Sequence, residues 1–278
     1  MDPRDTARAT DTAPVSKPAE ITRTAHLDTF ARDHLPPPEQ WPELRFDLPE
    51  VRYPERLNAA AELLADTAPE HPAFRSANGE VWTYGQLRAR VDRIAHTLTS
   101  HLGVVPGNRV LLRGPTTPQM AACWLAILKA GGVAVTVLAQ QRPHELRTIC
   151  EIARVSHALC DARVADDLVK ADVPGLRLTT YGGDGPDDLS RLPTSEEPYA
   201  PVDTAADDVA LIAFTSGTTG RPKGCVHFHR DLLAIADTFS RHVLRPRPDD
   251  VFAGRCPRWR ADRGGNAHSP WGDPWCPR

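Results

Sequence analysis

Lysine is scarce in this sequence. Of its 33 basic residues only Lys17, Lys129, Lys170 and Lys223 are lysine, and the rest are arginine. Acidic residues outnumber basic ones 36 to 33, and the net charge of −3 excludes a surface built for nucleic acid or an anionic membrane. Long apolar runs are also missing. The most apolar stretch, residues 121–128, is far below the roughly 18 residues that a membrane-spanning helix needs. The opening MDPRDTARATDTAP has no apolar centre and does not read as a secretory signal. The six cysteines, at positions 123, 150, 160, 225, 256 and 276, form no CxxC pair. Their scatter excludes a zinc knuckle or redox motif, so no metal site is expected, and it fits the reduced thiols of a cytoplasmic protein.

What is present is a globular composition, 41% hydrophobic and 25% charged, which excludes a fibrous or wholly disordered chain. The 27 prolines are about twice the average share and crowd towards the two ends, where irregular structure is expected. Residues 1–25 lack periodicity and are read as a disordered N-terminus. Residues 26–54 contain a triple proline and isolated aromatics, and are read as an irregular strap docking Phe30, Leu35 and Trp41 on a core.

Residues 55–67 are expected to be a helix, with Leu57, Ala60, Ala61 and Leu64 on one face. Asn78-Gly79 marks a hairpin turn into a strand at 81–84. A second helix is expected over 86–100, with Leu87, Val91, Ile94, Ala95 and Leu98 at helical spacing. An alternation follows: strand 109–113, a helix opened by Thr117-Pro118 and stopped at Gly131-Gly132, strand 133–138, a helix from Pro143, and strand 157–160. That rhythm predicts an α/β fold, a parallel sheet flanked by helices and open at one edge. Residues 182–206 read as a polar surface loop, 208–214 as a buried strand and 225–227 as another. A last helix is expected over 230–244, with Leu232, Leu233, Ala236, Phe239 and Val243 on its apolar face.

Chemistry concentrates in one stretch, Thr215-Ser216-Gly217-Thr218-Thr219-Gly220-Arg221-Pro222-Lys223-Gly224, which leaves a buried strand. Glycines let the backbone approach an anion, and successive N–H groups in such a turn form a concave anion site. The hydroxyls add donors with little bulk, and Lys223 adds a full charge. This suits the polyphosphate of a nucleotide. The spacing is not that of a Walker A loop, and no GxGxxG accompanies it, so a dinucleotide fold and a P-loop kinase are both disfavoured. The competing reading of Lys223 is an exposed loop lysine without a ligand.

TSGTTGRPKG closely resembles the phosphate loop of the adenylate-forming superfamily: acyl- and aryl-CoA synthetases, the adenylation domains of peptide synthetases, and luciferases. Trp82-Thr83-Tyr84-Gly85-Gln86-Leu87 resembles the family's LTYxEL segment, and Leu128-Lys129-Ala130-Gly131-Gly132 its LKAGG segment. The strap and Gly224-Cys225-Val226-His227-Phe228-His229-Arg230 look most like the benzoate and 2-aminobenzoate CoA ligase branch. The resemblance implies a two-step ligase. A small carboxylic acid, aromatic in that branch, attacks the α-phosphate of Mg²⁺-ATP, and coenzyme A then displaces AMP. It implies Thr215, Ser216, Gly217, Thr218, Thr219 and Gly220 as the nucleotide cradle, Lys223 as its cation, and His229 as a substrate-binding residue beside the acyl pocket. The competing reading of His229 is a surface histidine at a helix N-terminus.

The sequence also departs from that family. No YGxTE-like or TGD string occurs, and no segment matches the domain that carries the family's catalytic lysine. The expectation is therefore an incomplete AMP-binding domain over 55–254, the N-terminal part of a ligase, inactive as it stands. The alternative is a non-catalytic nucleotide-binding module completed by a second, downstream polypeptide. Residues 255–278 contain no Leu, Ile, Val or Phe, yet hold Trp259, Trp271 and Trp275 and five arginines against Asp262 and Asp273. This composition is that of GC-rich codons read out of frame, and the segment is expected to be a frame-shifted, disordered tail. The rival reading is a basic, tryptophan-bearing tail that binds a partner or nucleic acid.

Overall fold

A computed structural model of the chain describes residues 21–65, 67–76, 78–215, 222–247 and 250–252. The expected tail at 255–278 and most of the expected lead-in lie outside the described residues. The end of that lead-in is not loose. The backbone N–H of Thr22 donates to Asp207 (3.0 Å), and Thr24 Oγ1 and the N–H of Ala25 donate to Asp208. The strap therefore already runs from Thr22.

The centre is a six-stranded sheet in the order β6-β5-β3-β4-β7-β8. Its strands are β3 (Arg109–Arg113), β4 (Val133–Val137), β5 (His157–Asp161), β6 (Arg177–Tyr181), β7 (Val209–Thr215) and β8 (Lys223–Phe228). The first five in chain order run parallel, and β8 closes one edge antiparallel to β7. The expected parallel sheet thus ends in one reversed strand. That strand returns from β7 by a hairpin, which only an antiparallel partner permits. A separate two-stranded hairpin joins β1 (Pro72–Arg75) to β2 (Val81–Thr83), with Gly79 at φ +88° in its turn.

All five residues of β3 are buried, as a parallel strand covered on both faces must be. Alternation divides the two layers. Val110, Leu112, Ala134 and Leu159 face α3 (Tyr84–His96) and α4 (Pro118–Lys129). Leu111, Val133, Val135, Ala158 and Cys160 face α5 (Pro143–Ala153) and α6 (Ala165–Lys170). Helix α4 is buried all round, from Ala121 through Leu128, because it is held between the sheet and α3. Thr117 caps it by accepting the N–H of Met120 (3.2 Å), and Pro118 opens it, as the sequence predicts. The connection β3–α4–β4 steps one way along the sheet and β4–α5–β5 steps back past β3. The two helices lie on opposite faces, which is the outcome of two right-handed crossovers.

Several boundaries move from their sequence-based positions for local reasons. Helix α2 (Ala59–Leu64) starts at Asn58 rather than residue 55. Asn58 Oδ1 accepts the N–H groups of Ala60 and Ala61, while its Nδ2 donates to the carbonyls of Leu128 and Val202. Helix α3 starts at Tyr84, capped by Thr83 in a reciprocal box with Gln86, and widens to a π-helical turn over Thr97–His101. The last helix, α7 (His229–Ile235), also widens to π geometry over Ala236–Leu244. Its expected apolar face does not hold: Leu233 is buried, but Phe239 and Val243 are 53% and 63% exposed. No strand was expected at β6, whose sequence RLTTY buries only Thr179 and Tyr181 at the sheet edge.

Leu35 and Trp41 pack on the core under α5 and β8. Phe30, which opens the short helix α1 (Phe30–Asp33), instead has the guanidinium groups of Arg109 and Arg154 each 4.8 Å from its ring centre. Among the described residues, no helix is long and apolar enough to cross a membrane.

Candidate functional site at the carboxyl edge of the sheet

Parallel pairing aligns the carboxyl ends of β3, β4 and β7. Val135 pairs with Ile212 and Thr136 with Ala213, so β4 and β7 finish side by side. The turns that follow β3 and β4 leave for opposite faces of the sheet. In open α/β sheets that reversal leaves a crevice at the strands' carboxyl ends, where ligands bind.

Thr215 is the last residue of β7 and pairs directly with Lys223, the first of β8. Both are exposed. The Gly/Ser/Thr stretch is therefore held by its two ends at the crevice rim. Ser216, Gly217, Thr218, Thr219 and Gly220 lie outside the described residues. Among the described residues Lys223 has no carboxylate partner.

The rim beside β3 is built by residues the sequence reading passed over. Arg113, read only as the end of an apolar strand, is fully buried. Its guanidinium donates to the carbonyls of Val164, Ala139 (2.8 Å) and Gln141 (3.0 Å), and lies 3.3 Å from Asp167. It thereby ties the β4–α5 turn to α6. Tyr181 Oη donates to the carbonyl of Arg113 (3.0 Å). A Cβ on Gly114 would lie 2.3 Å from that Tyr181 oxygen, so no larger residue fits there without displacing the ring. A charged residue closing an otherwise apolar strand was the available signal for Arg113.

His229 is not the surface histidine of the bland reading. It is fully buried. Its Nδ1 accepts the N–H of Ala59 (3.1 Å), which places the ring proton on Nε2, and Nε2 is buried without a protein partner among the described residues. Burial, reinforced by nearby His26 and opposed by Asp208, pushes the imidazole down to about 3. The ring is neutral, a donor and not a base. The buried Asp208 gathers the strap: it accepts from Thr24, Ala25 and Ala205 and pairs with Arg32. No group of three His, Cys, Asp or Glu side chains is placed to hold a metal ion among the described residues.

A family model described as AMP-binding enzyme matches residues 62–259. The chain belongs to the AMP-binding enzyme family. It is 31% identical over 216 residues to the benzoate–CoA ligase of Thauera aromatica, covering 73% of this chain and 40% of that one. It is 32% identical over 220 residues to the 3-hydroxybenzoate–CoA ligase of Aromatoleum sp. strain CIB, covering 71% and 39%. The solved structure of MatB from Rhodopseudomonas palustris superposes with a TM-score of 0.62 in its apo form, at 31% identity over 69% of this chain and 38% of that one. The ATP-bound form gives 0.59 at 32% identity, over 66% and 37%. The chain thus spans about 40% of the length of the curated relatives it matches. The AMP-binding family's sheet-and-helix architecture is the one described above, so the fold expected from the sequence holds.

Proposed function

We propose that this chain forms the nucleotide-cradling part of an AMP-forming ligase that activates a small aromatic carboxylic acid and passes it to coenzyme A. The observation that supports the reading most is the pairing of Thr215 with Lys223, which anchors the phosphate-suited stretch at the sheet's carboxyl edge. The similarity to benzoate– and 3-hydroxybenzoate–CoA ligases supports an aromatic acid, and the likeness to an ATP-bound relative supports ATP. In this reading Thr215, Ser216, Thr218 and Thr219 offer hydroxyl donors, while Gly217 and Gly220 let backbone N–H groups reach the phosphates. Lys223 offsets the charge that develops there as the acid attacks the α-phosphate. His229 follows the far end of β8, where Phe228 pairs with Val209, and so lies at the opposite end of this hairpin from Lys223 and outside the cradle. Among the described residues no carboxylate set is placed to hold Mg²⁺. The same reading takes the protein to be cytoplasmic.

Calorimetric titration with ATP tests it. Lys223→Ala should weaken binding by about 1–3 kcal/mol, the scale of a charge-assisted contact. Lys170→Ala, on the exposed end of α6, should leave it unchanged. Equal losses from both lysines would remove the stretch from the phosphate site.

Turnover is a separate matter. A polypeptide of these 278 residues carries no YGxTE-like or TGD string. We expect it to bind ATP without releasing pyrophosphate when offered benzoate, 2-aminobenzoate or medium-chain acids. A second polypeptide bearing those segments should restore release. Robust release by the chain alone contradicts the proposal.

A further inference from the structure

Arginine is the dominant cation of this chain, and its half-buried copies are almost all satisfied. Among the described residues, those that are not exposed include Arg32, Arg56, Arg88, Arg90, Arg109 and Arg113, each bonded to a carbonyl or carboxylate. Arg230 differs. Its guanidinium lies 4.9 Å over the Phe46 ring and 5.5 Å over the Phe228 ring. Among the described residues its guanidinium makes no hydrogen bond or ion pair; its Nε, like that of Arg113, is buried and unpartnered, but unlike Arg113 it has no bonded Nη either. Stacking holds the fork in place but leaves its donors unspent, and a guanidinium in that state is preorganised for an oxyanion.

Arg230 lines a cleft of about 310 Å³ between the strap and α7. The other walls are mainly Phe46, Val51, Tyr53 and Pro54, with Arg52 and Glu55 exposed at the rim. Three carboxylates lie close by: Asp231 accepts the N–H of Phe228, Asp237 accepts the hydroxyl of the lining Tyr53, and Asp207 accepts the N–H of Thr22 through Oδ2 and keeps Oδ1 unpartnered among the described residues. The cleft includes Ala206, just before β7, whereas the phosphate-suited stretch follows the far end of that strand. At about 3.3 Å per residue the two are separated by roughly 20 Å.

We propose that this cleft is a second anion site, distinct from the nucleotide stretch, that takes a small carboxylate with a flat apolar body. The carboxylate meets the fork of Arg230, and the body lies along Phe46 and Tyr53. The proposal does not depend on ATP binding at Lys223.

Titrating the 278-residue chain calorimetrically with benzoate and, separately, inorganic phosphate tests it. Benzoate should bind saturably and more tightly than phosphate. Arg230→Gln should weaken benzoate at least tenfold and leave ATP binding unchanged, while Lys223→Ala should do the reverse. Should Arg230→Gln not fold, Phe46→Ala on the strap is expected to weaken benzoate severalfold. The site is overturned by an absence of saturable benzoate binding, by unchanged affinity in the folded variant, or by equal loss in Lys223→Ala. Tighter binding of phosphate than benzoate overturns the apolar body. A failure of ATP binding alone overturns only the nucleotide reading.

Discussion

Replacing Arg113 with alanine is expected to cost about 3–5 kcal/mol of stability, the range for removing one member of a buried charged network. Three carbonyls, those of Val164, Ala139 and Gln141, lose their donor at once, and a fully buried side chain leaves a void. The ion pair with Asp167 contributes less, because that carboxylate is half exposed to water. Two variants separate the causes. Arg113→Met restores most of the volume without the donors, and Arg113→Lys restores charge but cannot span three carbonyls. Both should recover part of the loss in urea unfolding. If Arg113→Met matches the parent within about 0.5 kcal/mol, the hydrogen bonds are not what holds this rim.

Mild acid should destabilise the protein well before its carboxylates titrate. His229 is held down to about 3 by burial, while an unfolded histidine titrates near 6.5. Between those values the unfolded chain binds a proton that the native state refuses, so stability falls as pH falls. At pH 4.5 the gap is two pH units, or about 2.7 kcal/mol from this residue alone. Burial lowers His26 and His157 too, and both act in the same direction. Asp208 faces His26 and His229. Burial works to raise it, but His26 and the donors of Thr24, Ala25 and Ala205 hold it below the usual carboxylate range, so its own loss comes only in stronger acid. Melting temperatures from pH 7.5 to 4.5 test the claim. His229→Gln, which keeps an acceptor for Ala59, should be weaker at pH 7.5 yet show a shallower slope. An unchanged slope would remove His229 as the cause.

The layered fold was legible because its signals are local. Thr117-Pro118 and Gly131-Gly132 bracket α4, and the apolar run inside predicts a helix covered on every side. The phosphate-suited stretch was equally plain, since its order of glycines and hydroxyls needs no tertiary context. What stayed hidden depends on partners far along the chain. Asn58 reads as an ordinary residue until α2 meets the carbonyls of Leu128 and Val202. Strand β6 exists because β5 offers it an edge, although RLTTY has little to bury. Phe239 and Val243 have helical spacing, but spacing cannot report that nothing among the described residues covers them. Arg230 gives no hint in sequence of two rings closing on it.

The pairing of Thr215 with Lys223 also sets a leash. Seven residues lie between them, and both ends are fixed at neighbouring positions of one hairpin. A chain that must go out and come back can reach only about half its contour, roughly 13 Å at full stretch. Whatever these residues grasp must come to the strand ends within that radius. A cargo with a long tail can extend beyond it, but its charged head cannot.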